Sequence, residues 1–270
     1  MIGRIAKPLR QFIGSNRRSR VVRGMHGVAA FIESAWANDG LDVGSNGEHR
    51  LIASLKHADF RIALDVGANF GDWILDALAI WPNVFVHAFE VAPPTFEKLS
   101  SRVAASASAS RTRLNSIGLS DAECTQEMFY FPEHPELTCD RPRHEGRKVV
   151  PFEANLSTVG AYAVQNGIDA IDFVKIDVEG AEYRVLKGCG HLLSERRIHC
   201  IQFEYGAFSI QTRVLLHDYY TLLGENYWIG KIYPQGVEFA DYEWTMENFR
   251  FANFCCVSKA RPDLRDLVAS

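Results

Sequence analysis

The sequence predicts a doubly wound α/β domain: a mostly parallel seven-stranded sheet with an inserted β-hairpin. Three observations lead there. A chain of 270 residues, 47% hydrophobic and 23% charged, buries about three-quarters of its unfolded surface in one or two cores. From Leu51 onward, short apolar runs alternate with helical patterns, as strands joined by crossover helices require. The first of those runs, Leu64-Asp65-Val66-Gly67-Ala68-Asn69-Phe70-Gly71-Asp72, passes through a glycine turn into a helix, the place where open α/β sheets bind ligands.

The elements follow in order. Leu51 to Ala58 reads as a helix, Ile62 to Val66 as a buried first strand, and Asp72 to Ala79 as a helix stopped by Pro82. Val84 to Phe89 forms the second strand, Thr95 to Ala105 a helix, and Arg113 to Ile117 the third strand. The rhythm then breaks. Phe129-Tyr130-Phe131 and Lys148-Val149-Val150 read as an inserted hairpin around a loop holding His134 and His144. Asp172 to Asp177, a helix over Tyr183 to Leu193, Ile198 to Phe203 and a helix over Arg213 to Leu223 restore the alternation. Tyr227 to Gly230 and Phe254 to Val257 add two late strands across an irregular aromatic-rich segment.

The charge is divided unevenly. Arg4, Lys7, Arg10, Arg17, Arg18, Arg20 and Arg23 meet no acidic residue through residue 32, so against a total of −4 the rest of the chain carries −11. An acidic body argues against a nucleic-acid clamp. Ile2, Ile5, Leu9, Phe12 and Ile13 recur at helical spacing in the basic arm, interrupted by Pro8. Two readings of the arm follow: apolar residues packed on the body, or a surface helix in weak peripheral membrane contact. The turn formers of residues 38–48 divide an arm and linker (1–45) from the main domain (46–260), with a short tail (261–270). Six cysteines without a C-x-x-C pair read as reduced and mostly buried thiols. No apolar run approaches the ~20 residues of a membrane span, and no secretory signal is visible, which leads to a cytoplasmic expectation.

The glycine turn excludes two nucleotide motifs. A dinucleotide fingerprint starting at Gly67 needs glycine where Asn69 and Asp72 stand, and no Gly-Lys-Ser/Thr follows for a phosphate loop. Glu90 ends the second strand 23 residues after Gly67, where a carboxylate accepts hydrogen bonds from both ribose hydroxyls. Together they imply a nucleoside with an amino-acid-like tail, its base flanked by Gly118 and Leu119 after the third strand. A third feature, Lys175-Ile176-Asp177-Val178-Glu179-Gly180-Ala181-Glu182, delivers Asp177, Glu179 and Glu182 to the same edge. They suit a general base or an oxygen-ligand cation site, or Glu179 and Glu182 cap the following helix. Glu204 and Tyr205, closing the fifth strand, are expected at the same cleft, with Glu204 binding acceptor or pairing with Arg213. Tyr242 and Trp244 are candidates for stacking on a sugar ring.

These motifs, with Asn46-Gly47-Glu48 and Phe89-Glu90-x-x-Pro93, resemble the FkbM family of S-adenosylmethionine-dependent methyltransferases over about residues 46–258. The likeness departs at Val91-Ala92 and at Asn155-Leu156-Ser157. The resemblance implies a class I methyltransferase (Rossmann-like) fold and S-adenosyl-L-methionine as cofactor, with a divalent metal not favoured. It puts the methionine part against Asp65, Gly67, Asn69 and Gly71, the ribose on Glu90, and the reactive methyl near Asp177. It also implies O-methylation of a hydroxyl on a sugar, glycan or secondary metabolite, with Asp177, Glu179 and Glu204 as catalytic candidates and Glu182 and Tyr205 at the acceptor. Two rival readings are a non-catalytic S-adenosylmethionine-binding partner and a nucleotide-dependent oxidoreductase or epimerase.

Overall fold

The computed structural model describes residues 2–40, 42–141 and 146–270, with side chains from residue 7 onward. His144 therefore lies outside the described residues. The chain divides into two compact units, residues 1–41 and 42–270. The first contains α1 (Ile2–Ser15) and α2 (Arg20–Ala37). Pro8 lies in the middle of α1, so it does not stop the helix, although it removes one interior backbone donor. Ser19 caps α2 by accepting from the Val22 amide, and left-handed Asn38 closes its other end.

The second unit opens with α3 (Glu48–Ser54), β1 (Ile62–Val66), α4 (Asp72–Ile80), β2 (Phe85–Phe89), α5 (Pro93–Ala104) and β3 (Thr112–Asn115). Next come β4 (Gly118–Leu119), β5 (Cys124–Tyr130), β6 (Val150–Ser157), α6 (Val159–Asn166) and β7 (Ile171–Ile176). The last part holds α7 (Glu182–Gly188), α8 (His191–Ser194), β8 (Ile198–Tyr205), α9 (Phe208–Thr212), α10 (Leu216–Leu223), β9 (Tyr227–Tyr233), β10 (Gly236–Phe239), β11 (Ala252–Ser258) and α11 (Pro262–Val268).

Among the described residues the main sheet has eight strands, in the order β10-β9-β11-β8-β7-β1-β2-β3. Strands β8, β7, β1, β2 and β3 run parallel, while β9, β10 and β11 are antiparallel. The strand beyond the expected seven is β10, a four-residue partner of β9 inside the aromatic-rich segment, too short for its alternation to stand out. The chain winds outward from β1 through β2 to β3, then restarts on the other side of β1 with β7 and β8. That reversal makes a crevice at the carboxyl ends of β1 and β7.

The inserted hairpin is β5 paired antiparallel with β6, from Cys124 opposite Leu156 to Tyr130 opposite Val150. It is longer than the apolar triplets suggest, Lys148 and Val149 precede it, and β4 joins β6 to complete a separate three-stranded sheet. The helix expected over Tyr183 to Leu193 breaks into α7 and α8 around Gly188-Cys189-Gly190. A Cβ on Gly188 would lie 2.0 Å from the Ser120 carbonyl oxygen, so glycine lets α7 end against the chain after β4. The helix expected over Arg213 to Leu223 likewise becomes α9 and α10.

Alternate residues of the strands feed two cores. Val66, Val174, Ile176, Ile201 and Phe203 face α6, α7 and α10, whereas Ala63, Val86, Phe173, Cys200 and Cys255 pack with α3, α4, α5 and α11. Residues 261–270 are not a loose tail, because Leu264 and Val268 of α11 are buried in the second core. Five of the six cysteines are buried, Cys124 being exposed. Among the described residues, no helix is long and apolar enough to cross a membrane.

Candidate active site

The crevice is built by short loops tied to strand ends. The Gly67 and Ala68 amides both donate to the Phe89 carbonyl, at 3.0 and 2.9 Å, and the Asp177 amide donates to the Val66 carbonyl at 2.9 Å. Gly67 is at φ +86°, and a Cβ there would sit 1.8 Å from the Asp177 carbonyl oxygen. Glycine is thus needed for the β1 and β7 ends to close on each other, a structural demand beyond ligand approach. Asn69 adopts a left-handed conformation, as asparagine tolerates, and Gly71, at φ +84°, starts α4.

Glu90 ties this loop to β2. Its Oε2 accepts from the Asn69 amide at 2.9 Å and its Oε1 from the Ala92 amide at 2.8 Å. Burial pushes its pKa up to about 7, opposed by the Ala92 and Asn69 amides. A carboxylate offers about four acceptor sites, so Glu90 keeps acceptor capacity for a ligand. Gly118 lies beside Val91, next to Glu90. Leu119, paired with it in the sequence reading, instead turns its side chain into the core.

Strand register assembles the next group. Asp65 pairs with Lys175 and Lys175 with Gln202, which places these three side chains in a row on one face. Asp65 is fully buried and, among the described residues, neither carboxyl oxygen has a hydrogen-bond partner; Lys175 Nζ stands 4.0 Å away. Burial raises the Asp65 pKa to about 6, with Lys175 acting in the opposite sense. Lys175 Nζ donates to Asp177 Oδ2 at 2.8 Å, and Asp177 remains about a third exposed. The Lys175 ammonium loses hydration on burial, yet Asp177 and Asp65 together hold its pKa above the ordinary lysine value.

The same row continues to α3. Gln202 Nε2 donates to Glu48 Oε2 at 2.6 Å, and Asn253 Nδ2 donates to Glu48 Oε1 at 3.1 Å. Asn46 Nδ2 also donates to Glu48 Oε1, at 2.7 Å. Asn46-Gly47-Glu48 is therefore a clamp that fastens the start of α3 to β8 and β11. Neither Lys175 nor this clamp emerges as a site component from the sequence. Lys175 did carry a legible signal, a lone cation in a buried apolar strand; Asn46-Gly47-Glu48 was visible as a motif, but its partners Gln202 and Asn253 depend on register.

The three carboxylates of the β7 loop take different settings. Glu182 is buried, and its Oε1 accepts from the Val178 and Gly180 amides at 3.2 and 3.0 Å, so it caps its own turn rather than reaching an acceptor. Its Oε2 has no hydrogen-bond partner, and burial pushes its pKa up to about 8 despite the backbone amides. Glu179 occupies a left-handed turn position before Gly180. Asp177 is the member that reaches the crevice. Among the described residues, no cluster of three histidine, cysteine or acidic side chains is placed to hold a metal ion.

Glu204 lies on the same face as Gln202, opposite Asn253. Burial, then the charges of Asp177, Glu182 and Glu179, push its pKa well above the carboxylate range. No ion pair to Arg213 forms among the described residues. Tyr205 does not join this group: it points to the opposite face, where its hydroxyl donates to Glu247 Oε2 at 2.6 Å. Glu247 also accepts from Tyr242 and from the Leu216 and His217 amides, so Tyr205 and Tyr242 brace α10. Trp244 is exposed, His134 pairs with Glu136 on the surface, and exposed His217 contributes its backbone amide.

The crevice thus offers acceptors in want of donors: both Asp65 oxygens, the buried Asn69 Oδ1 and the free lone pairs of Glu90. A cationic amine and a vicinal diol satisfy that set. A family model described as the Methyltransferase FkbM domain matches residues 65–227. The methyltransferase sdnD of Sordaria araneosa is 28% identical over 196 residues, covering 62% of this chain and 75% of that protein. The 31-O-demethyl-FK506 methyltransferase FkbM of Streptomyces tacrolimicus is 28% identical over 154 residues, covering 47% of this chain and 58% of that protein. A crystallised FkbM methyltransferase from Methylobacillus flagellatus aligns with 76% of this chain and 47% of its own, at a TM-score of 0.45 and 16% identity.

Proposed function

Because the chain belongs to the FkbM methyltransferase domain family, we propose that it is an O-methyltransferase acting on a hydroxyl of a sugar, glycan or secondary metabolite. The family implies S-adenosylmethionine as the donor, and the residues present fit it. Asp65 and Asn69 supply acceptors for its ammonium group and Glu90 supplies lone pairs for its ribose diol. The observation that carries the reading is the set of unpartnered buried acceptors at the crevice, beside the Lys175–Asp177 pair.

S-adenosylmethionine supplies an activated methyl group on a sulfonium centre. What the protein must add is position and a place for the acceptor's proton. Asp177, fixed by Lys175, anchors the acceptor hydroxyl at the rim of the crevice. Glu204, on the sheet face shared with Lys175 and Gln202, takes up the proton in its ionised form. The hydroxyl specificity is supported by the name of one relative, whose substrate is described as 31-O-demethylated.

Titration calorimetry tests the reading. The protein should bind S-adenosylmethionine, Glu90→Ala should weaken binding by at least about tenfold, since two hydrogen bonds at ~1 kcal/mol each are lost. Asp177→Asn should keep the cofactor while turnover falls about a hundredfold or more. Undiminished cofactor binding in Glu90→Ala, or full turnover in Asp177→Asn on an accepted substrate, would refute it.

A further inference from the structure

The basic arm, residues 1–41, has chemistry of its own. In α2, Val21, Met25, Val28, Ile32 and Trp36 recur at helical spacing and fall on one stripe. Each is between 43% and 85% exposed. Phe31, also exposed, borders the stripe. In α1, Leu9 and Phe12 are exposed as well. Arg10, Arg17, Arg18, Arg20 and Arg23 are exposed as well, and no acidic residue occurs before Glu33.

An exposed stripe of five large apolar side chains needs a cover, and the charge selects it. A second copy of the chain would bring one strongly cationic arm against another, which the two sets of arginines oppose. A nucleic acid would satisfy the arginines and leave the apolar stripe in water. An anionic lipid surface satisfies both: headgroups meet the arginines, and the interfacial region takes the aliphatic and aromatic side chains. We infer that α1 and α2 form an amphipathic element that docks the protein on an anionic membrane surface, lying in its plane.

Vesicle sedimentation of the full chain tests this. Vesicles of phosphatidylcholine containing about one-third phosphatidylglycerol should bind at least about tenfold more protein than phosphatidylcholine alone. Raising salt from about 0.05 to about 0.5 M should release much of it. Val28→Glu with Ile32→Glu removes the stripe, and glutamine at Arg17, Arg18, Arg20 and Arg23 removes the charge. Each variant should lose at least about tenfold in vesicle binding while keeping the wild-type melting temperature. Absence of binding to anionic vesicles at low salt overturns the inference. So does undiminished binding by the stripe variant, which would mark simple charge attraction shared with nucleic acid. A wild-type dimer in light scattering that the stripe variant dissolves would instead assign the stripe to a second copy.

Discussion

At the residue scale, Lys175 holds two carboxylates that would otherwise repel: Asp177 at 2.8 Å and Asp65 at 4.0 Å. Removing one partner of a buried ionic group costs more than the group contributes when intact, because the remaining charges stay desolvated. Lys175→Met should therefore destabilise the protein by about 3 kcal/mol. Adding Asp65→Asn should restore part of that loss, since the amide carries no charge to leave unpaired. Urea unfolding of the two variants checks this, and additive losses would contradict the coupling. Asp65 and Asp177 could be picked out from sequence because each leads from a strand into a glycine turn, and Glu90 because it ends the strand that follows the first such turn. Tyr205 and Glu204 could not be separated in sequence, yet strand alternation sends them to opposite faces, and Glu182 was misplaced because its carboxylate turns back onto the Val178 and Gly180 amides.

At the scale of elements, the site depends on how closely strand ends approach. The Gly67 turn and the Asp177 carbonyl leave no room for a side-chain carbon. Gly67→Ala should separate β1 from the β7 loop and cost about 3 kcal/mol or more, through both the clash and the left-handed backbone. A fall in melting temperature that cofactor cannot reverse is expected; an alanine variant as stable as wild type would show the loop to be adaptable. This position is accordingly a poor probe of binding alone, and Glu90 a better one. Strands β1, β2, β7 and β8 were legible as apolar runs. Strand β10 and the start of α3 were not, since four residues carry little periodicity and α3 is anchored by contacts with β8 and β11 rather than by its own pattern.

For the molecule as a whole, buried carboxyls set the response to pH. Unfolded carboxyls ionise near pH ~4, whereas Asp65, Glu90 and Glu182 retain protons up to about 6, 7 and 8 in the folded state. The folded state binds more protons than the unfolded one across that interval, so these groups favour folding at low pH and lose that contribution as pH rises. His87 acts in the opposite sense, its pKa lowered to about 4 by burial and by Arg113, and its influence ends above ~6.5. Between about pH 6.5 and 8.5 the melting temperature should fall, owing to Glu90 and Glu182. Glu182→Gln keeps an acceptor for both amides and should flatten the slope; a slope unchanged in that variant would assign it elsewhere.

The alternation of strands and helices, the glycine turn, the acidic end of β2 and the segregation of basic charge into the first 32 residues can all be read from the residues alone. Those properties are local: hydrophobic period, turn chemistry and charge are written over a few neighbouring residues. That β1 and β7 meet at a reversal of strand order, that Lys175 stands between Asp65 and Asp177, and that Glu48 clamps α3 through Gln202 and Asn253 are consequences of folding. Those contacts join residues far apart in the chain. They depend on strand register, where a shift of one residue moves every side chain to the other face.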